Sequence, residues 1–216
     1  MQLNLEAHRQ PILQDGEGRL TFGAGTWMRF GEGSLAVGNL DLRWGLLDRV
    51  ELRVLLPGLA FLLVREEEWR PSVVLFAGMT EVGFDTSVGR VLAYGTGVGL
   101  SKLLHPRVRV RLFGEFRHRP FGEEEIQLAV PGPLPSARAW LTYGDVLVQI
   151  RPELAASVGA GGSIAIGDGQ DFAWLSFGVT ATLLRRTDVF LQLLLASSRG
   201  DRAIDPAVFG GVSFGF

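Results

Sequence analysis

Charged side chains recur at alternate positions along several segments of this chain, and apolar side chains fill the positions between them. Side chains at every second position of a β-strand lie on one face, so each segment predicts one charged face and one apolar face. If the charged faces enclose a passage, their basic side chains favour anions. The charged faces carry seven arginines and four acidic residues: Arg29, Arg43, Arg53, Arg109, Arg111, Arg117 and Arg151, with Asp41, Glu51, Glu115 and Asp145.

Residue types that usually carry catalysis or bind metals are sparse. There is no cysteine, which excludes thiolate metal sites and disulfides. His8, His105 and His118 fall in three separate predicted regions, so they cannot share a metal or a proton relay. His118 and Ser136 flank one long predicted loop and could act as base and nucleophile of an acyl hydrolase, but no orienting acid is evident. We therefore expect a non-enzymatic protein with no catalytic residue, no metal and no cofactor.

Twelve segments show strand-like alternation bounded by turn residues. Residues 1–17 are polar and irregular, so we expect an N-terminal extension or small plug there, followed by one all-β domain over 18–216. The predicted strands span 19–30, 34–46, 49–56, 59–67, 71–84, 90–103, 107–118, 138–150, 153–165, 171–184, 187–198 and 206–216.

The apolar content is high but distributed. Hydrophobic residues make up 47% of the chain, yet no uninterrupted apolar run approaches the ~20 residues that a membrane-spanning helix needs. Short alternating segments are instead typical of a transmembrane antiparallel β-barrel. A water-soluble sandwich would show the same alternation with its charges outside, whereas a barrel in a bilayer encloses them. The even strand count and the aromatic residues near predicted strand ends favour the barrel: Phe22, Phe30, Trp44, Trp140 and Phe214.

The last strand supports the same interpretation. Apolar and small residues alternate over 208–216, and the chain ends on Phe216. A closed barrel must pair its last strand with its first. The ending resembles the carboxy-terminal assembly signal of bacterial outer-membrane barrels at Gly211, Phe214 and Phe216, although Phe209 stands where that signal usually has a polar residue. The resemblance implies a location in the bacterial outer membrane, and as partners the lipid bilayer and the barrel-assembly machinery.

The start of the chain and its charge add two expectations. The first residues, Met1 to Asn4, carry neither the basic nor the apolar region of a signal peptide, so we expect that signal to have been removed. The net charge of -2 gives no indication of a nucleic-acid partner.

With both termini on the periplasmic side, the turns there are predicted to be short, and 119–137 becomes the one long outer loop.

A charged hairpin is predicted over residues 41–53. A three-residue loop places Arg43 opposite Glu51 and Asp41 opposite Arg53, whereas a slip of two residues sets the two arginines against each other. Opposite charges across a ladder contribute roughly 0.2–1 kcal/mol each, and like charges are unfavourable. We therefore expect the first register.

The next apolar run, residues 54–64, is interrupted by Pro57-Gly58 and is apolar on both faces. It is either a hairpin that gives part of the lumen an apolar wall, or a strand pair covered by a loop or by the N-terminal segment.

The stretch from Leu42 to Arg53, Leu-Arg-Trp-Gly-Leu-Leu-Asp-Arg-Val-Glu-Leu-Arg, resembles a hairpin of the outer-membrane proteins grouped with meta-pathway phenol degradation. The later strand that starts at Arg70-Pro71-Ser72 and reaches Gly83-Phe84 also matches that pattern. The resemblance implies a barrel of about this strand number, which is often assumed to pass small aromatic or other hydrophobic compounds.

The sequence thus predicts an outer-membrane channel or transporter that passes small molecules, hydrophobic or anionic, through a charged lumen. The alternative is a closed barrel with a structural or surface-interaction role. Barrels of eight strands are filled by side chains and those of sixteen or more hold water, so twelve strands leave both possibilities open. The residues predicted to line the lumen are Asp41, Arg43, Glu51, Arg53, Arg109, Arg111, Glu115, Arg117, Asp145, Gln149 and Arg151.

Overall fold

A computed structural model describes the backbone of residues 12–29, 33–55, 57–85, 89–118, 138–167, 171–184, 186–198 and 204–216. Side chains are described in the same ranges except at 27–29, 33–39, 80–85, 89–92 and 198. Among these residues, no helix is long and apolar enough to cross a membrane.

Twelve antiparallel strands form one closed barrel, and each strand pairs with the next along the chain. This confirms the predicted all-β fold. The strands are β1 (Gly18–Arg29), β2 (Gly33–Leu47), β3 (Val50–Arg53), β4 (Gly58–Val64), β5 (Ser72–Asp85), β6 (Gly89–His105), β7 (Val108–His118), β8 (Arg138–Arg151), β9 (Leu154–Ala165), β10 (Phe172–Leu184), β11 (Thr187–Ser198) and β12 (Asp205–Gly215).

The barrel closes where β12 pairs with β1. The ladder runs from Arg19 opposite Gly215 to Trp27 opposite Ala207. Beyond it, the Gly18 amide donates to the Phe216 carbonyl at 2.8 Å. Closure pairs the backbone groups that an open edge would expose, which the interior of a bilayer requires.

The two faces of the wall differ in polarity as the membrane interpretation predicts. On β8, Leu141, Asp145 and Leu147 are buried, while the intervening Val146 and Val148 are exposed. Among the described residues, charged and hydroxyl side chains such as Asp41, Thr21 and Ser213 are also buried inside the barrel, whereas many large apolar side chains are exposed on its outer surface. The described aromatic residues near strand ends are 40–51% exposed on that surface: Phe22, Trp44, Trp140 and Phe214. Phe30 lies outside the described residues.

The connections differ in length between the two ends of the barrel. We call the end where β1 begins and β12 ends the terminus end, and the opposite end the loop end. Residues 48–49, 106–107 and 152–153 form short connections at the terminus end, and only two residues separate β10 from β11 there, but 65–71 is longer than predicted. At the loop end, residues 119–137 join β7 to β8 and lie outside the described residues.

The third and fourth strands form a hairpin, but a shorter one than predicted. β3 has four residues and β4 has seven, whereas a strand needs about 9–11 to cross a bilayer. The Val54 amide donates to the Leu42 carbonyl and the Met79 amide to the Pro57 carbonyl, both at 2.8 Å. The hairpin therefore turns beside Leu42 and Met79, while β2 and β5 continue toward the loop end.

The predicted register of the charged hairpin is wrong. Arg43 lies opposite Arg53, and Gly45 lies opposite Glu51, with a register shift between Gly45 and Leu47. The turn has two residues instead of three, and the irregularity beside it absorbs the extra residue, as a β-bulge does. The prediction considered only directly opposed residues. In the structure, Arg43 and Arg53 instead form ion pairs with Glu51 and Asp41, which are not directly opposite them.

Candidate functional site

The inward faces of the strands bring most of the predicted lining residues into the barrel. Seven have relative exposures of only 1–9%: Asp41, Arg43, Glu51, Arg109, Glu115, Arg117 and Asp145. Arg53, Arg111 and Gln149 are half-buried, and Arg151 is exposed at the terminus end of β8.

The first group of charges joins β2 and β3. Arg43 Nε donates to Asp41 Oδ2 at 2.7 Å, and Arg43 Nη1 lies 3.4 Å from Glu51 Oε1. Arg53 Nη2 lies 3.8 Å from the same Asp41 oxygen. The two carboxylates thus separate the two directly opposed arginines, which removes the penalty expected for like charges across a ladder.

The second group joins β7 and β8, where Arg111 lies directly opposite Asp145. Arg111 Nε donates to Asp145 Oδ1 at 2.8 Å, and Nη2 donates to Oδ2. This two-point geometry is the strong form of an arginine–carboxylate pair. The Tyr143 hydroxyl also donates to Asp145 Oδ2, at 3.2 Å, and lies 3.1 Å from the Ser176 hydroxyl.

The third group lies along β7. Arg117 Nη2 donates to Glu115 Oε2 at 2.8 Å. Arg109 Nη1 donates to Glu66 Oε2 at 2.8 Å and to Ser101 Oγ at 2.7 Å. The sequence analysis did not identify Glu66, which follows β4 in the connection to β5.

Glu66 could have been found by extending the alternation of β4. Ala60 and Leu62 are buried and Leu63 is exposed, so even-numbered positions face inward, and Glu66 falls on the same parity. With Glu66 included, five arginines face five carboxylates in these three groups, and the ten side chains carry no net charge. These ten side chains alone therefore provide no excess of positive charge that would favour anions.

A cavity of about 200 Å³ lies between the charged groups. Its lining includes the ion-paired Arg43, Glu51, Arg111, Glu115 and Arg117, together with the aromatic residues Phe76, Phe113, Tyr143 and Trp174. An apolar cavity of about 150 Å³ is enough to bind benzene in another protein. The space is therefore large enough for a solute that contains one ring.

Small residues on β6 leave room for this cavity. The inward positions of the strand are Ala93, Gly95, Gly97, Gly99 and Ser101. Phe76 lies opposite Gly97 on one side, and Phe113 lies opposite Gly99 on the other. The two rings stack over the strand with centroids 4.7 Å apart and planes 9° apart.

The carboxy-terminal residues of the predicted assembly signal have structural roles at the closure. The Phe214 ring packs edge-to-face on Phe22 at 6.4 Å, and the Phe216 ring lies 5.8 Å from Trp44. A Cβ at Gly211 would collide with the Phe22 carbonyl oxygen and approach Phe190 Cζ to 2.6 Å. These contacts stabilise the closed barrel independently of any assembly signal.

Some of the residues considered for catalysis and metal binding, His8 and Ser136, lie outside the described residues. Within the described part of the chain, no group of three or more His, Asp or Glu side chains could hold a metal. His118 ends β7, but Ser136 lies outside the described residues, so their proposed pairing stays a prediction.

Comparison with known protein sequences gives no match. No protein-family model matches the chain, and no curated protein does either. The resemblance to the meta-pathway group is therefore not confirmed.

Solved structures do match. The NanC porin has a TM-score of 0.55 at 11% identity, covering 92% of this chain and 98% of NanC. The β domain of the Bordetella autotransporter BrkA has a TM-score of 0.50 at 14% identity, covering 94% of this chain and all of that domain (100%). CymD, a monoaromatic hydrocarbon channel, has a lower TM-score of 0.46 at 10% identity, covering 94% of this chain and 88% of CymD. At these identities the likeness to NanC and BrkA shows the fold alone, a closed antiparallel β-barrel.

Proposed function

We propose that this chain is a non-enzymatic channel of the bacterial outer membrane that passes small solutes through the polar interior of its barrel. The cavity of about 200 Å³ is the observation that supports this most directly. A barrel that served only as a rigid scaffold could fill this space with side chains, as eight-stranded barrels do. Here β6 contributes glycine, alanine and serine to the interior instead.

The cavity lining suggests which solutes pass. Phe113 is 36% exposed although it faces inward, so its ring offers an apolar surface inside the barrel. Arg111 and Arg117 lie on the same strand and also line the cavity. Since their charges are balanced by Asp145 and Glu115, the interior suits small hydrophobic or weakly anionic solutes of about one ring.

Under this proposal the lipid bilayer contacts the exposed apolar surface, and the barrel-assembly machinery recognises the end of the chain. The outward exposure of Phe214 and Phe216, 42% and 49%, supports this, because both rings are accessible from the surface of the barrel. No nucleic-acid partner is proposed.

Ion selectivity in planar bilayers tests the channel. In a salt gradient we expect the wild-type channel to select only weakly between cations and anions. The double variant Arg111→Glu and Arg117→Glu replaces two positive side chains by negative ones, and each replacement lowers the net charge of the cavity by two units. It should therefore shift the reversal potential toward cation selectivity. The matched control exchanges the pair, Arg111→Asp with Asp145→Arg, which keeps both the ion pair and the net charge.

Two results would contradict the proposal. One is a folded wild-type barrel that conducts no ions, even with the segment before β1 removed. The other is an identical reversal potential in the charge-reversed variant and in the exchanged control, because the current would then bypass the cavity. Heat-modifiable migration in gels confirms that each variant is folded.

A closed structural barrel is the second candidate. It is favoured by the ion pairing of the interior, since each of the five inward carboxylates described above lies within 4.0 Å of an arginine nitrogen. Such pairing rigidifies a lumen without providing a path. This candidate predicts a folded barrel that is impermeable in every variant.

A further inference from the structure

Residues 12–17, which precede β1, fold back into the barrel. The Gln14 carbonyl accepts the Glu17 amide at 3.0 Å, which closes a tight turn. Gly16 adopts a φ of +76° in this turn, a conformation that glycine adopts without strain. As a result, residues 12–14 lie against the inner surface of β2, β3 and β4 at the terminus end. We call residues 12–17 the inner segment.

An apolar contact anchors the start of the inner segment. Ile12 is only 5% exposed and packs with Ala60 and Leu62, the inward-facing residues of β4. Val74 and Phe76 of β5 complete this cluster. The hairpin whose sequence is apolar on both faces thus has its inward face covered by the N-terminal segment, one of the two alternatives left open by the sequence.

A polar contact joins the inner segment to the charges that line the cavity. The Leu13 amide donates to Glu51 Oε2 at 2.9 Å, while the other oxygen of Glu51 lies 3.4 Å from Arg43 Nη1. Arg43 and Glu51 both line the cavity. The inner segment therefore lies next to residues that line the cavity, and it hydrogen-bonds to one of their carboxylates.

The backbone of the inner segment packs directly against Gly45 of β2. A Cβ at this position would collide with the Gln14 carbonyl oxygen, and it would lie 2.6 Å from the Gln14 carbonyl carbon and 3.1 Å from the Leu13 carbonyl oxygen. All three are backbone atoms, so no side-chain rotation relieves the clash. Gly45 has no positive φ, which means that the strand itself does not require glycine there. The requirement comes from the segment that passes over it.

We propose that the inner segment is a plug that narrows the path at the terminus end of the barrel, and that its release widens this path. The inference depends on the proposed channel function. Few contacts hold residues 12–14: the apolar side chain of Ile12, the hydrogen bond from the Leu13 amide to Glu51, and the turn in which Gln14 bonds to Glu17. Gly16 and Glu17 are held more firmly, because the Gly16 amide donates to the Gly45 carbonyl at 3.0 Å and the Gly45 amide donates to the Glu17 carbonyl at 2.8 Å. Residues 12–14 can therefore leave their position without unfolding the barrel, because they make no backbone–backbone hydrogen bond to a described strand residue.

The substitution Gly45→Ala tests the plug with a single methyl group. It should displace residues 13–14 and shift the single-channel conductance to a larger value than in wild type. Gly114→Ala is the matched control, because a Cβ there meets nothing within 4 Å, and its conductance should equal that of wild type. Deletion of residues 1–14 should give the same increase as Gly45→Ala, and it keeps the test valid if that variant folds poorly.

The rate of thiol modification at position 12 reports displacement of the inner segment without relying on conductance. Since the chain has no cysteine, Ile12→Cys provides a unique thiol at the anchor. A water-soluble thiol reagent should modify it slowly in an otherwise native barrel, at the same slow rate with Gly114→Ala, and rapidly with Gly45→Ala.

The outcomes separate the plug from the channel. A rise in conductance with both Gly45→Ala and the deletion supports the plug. If the wild type conducts and the deletion leaves its conductance unchanged, the plug is refuted and the channel remains. If the deleted barrel is folded and still does not conduct, the channel fails and the plug fails with it. Rapid modification of Ile12→Cys in the native barrel also refutes the plug, because the anchor would then be open.

Discussion

Removal of the carboxylate of Asp145 should strongly destabilise the barrel. The Asp145 side chain is 0% exposed and that of Arg111 is 13% exposed. Breaking a buried pair by removing one partner costs about 3–5 kcal/mol, because a charge remains unpaired. Arg111 borders a cavity that water can enter, so the cost of Asp145→Ala should lie near the lower limit, about 3 kcal/mol.

The effects of Arg111→Ala and Asp145→Ala on the free energy of unfolding should be partly coupled. Arg111→Ala leaves Asp145 with one remaining donor, the hydroxyl of Tyr143 at 3.2 Å, so it should also destabilise. The double variant removes both charges and should cost less than the sum of the single variants by about 1–3 kcal/mol. Arg151→Ala is the control, because this exposed arginine at the end of β8 should change stability by no more than about 0.5 kcal/mol.

Unfolding in urea, followed by tryptophan fluorescence in detergent micelles or lipid vesicles, measures these free energies. Additive effects of Asp145→Ala and Arg111→Ala would refute the reasoning, as would a cost of Asp145→Ala no larger than that of Arg151→Ala. Either result would mean that the Arg111–Asp145 pair is solvated like a surface pair, whose contribution is about 0–1 kcal/mol.

Two further predictions concern close packing. Gly211→Leu should reduce the fraction of heat-modifiable folded barrel, since its Cβ would collide with the Phe22 carbonyl oxygen, whereas Gly210→Ala makes only ordinary contacts of 3.4 Å or more and should fold like wild type. Equal folded fractions would contradict this. Phe113→Ala removes the ring stacked on Phe76 at 4.7 Å, so it should lower stability by at least the stacking contribution of about 0.5–1.5 kcal/mol. It should also increase conductance by enlarging the cavity, and an unchanged conductance would show that the ring does not border the path.

The alternation of the sequence was sufficient to predict the strands and the residues that share the charged face. Inward and outward positions follow from a period of two within one strand, which is local information. Arg109 and Asp145 were therefore assigned to the charged face without knowledge of any partner. The bilayer interpretation needed one more observation, the apolar strand that ends on Phe216, because alternation alone fits a soluble sandwich equally well.

The charged hairpin shows why register was harder to predict. The pairing of Arg43 with Glu51 was expected from directly opposed charges, but a bulge between Gly45 and Leu47 changes which residues oppose each other. A bulge depends on the turn and on neighbouring strands, so the hairpin sequence alone does not reveal it. Asp41 then neutralises Arg43 from its own strand, at 2.7 Å, which an analysis of opposed pairs does not consider.

The inner segment could be anticipated only as an alternative. The contacts of Ile12 with Ala60, and of Leu13 with Glu51, join residues far apart in the sequence, and no periodicity marks them. Gly45 carried the only local signal, a glycine at an inward position of a strand. Without its neighbour Gln14, that glycine could not be distinguished from the many other glycines of the chain.

The inversion of polarity across the barrel wall is the central claim, and adjacent residues on β10 test it most directly. Val179 is 47% exposed and Thr180 is 7% exposed, so a fluorophore attached to Val179→Cys should contact lipid, and one attached to Thr180→Cys should not. In vesicles of lipids with brominated acyl chains, we expect strong quenching at position 179 and weak quenching at position 180. Equal quenching at both positions, or stronger quenching at position 180, would contradict a barrel that encloses its charges and presents its apolar face to the bilayer.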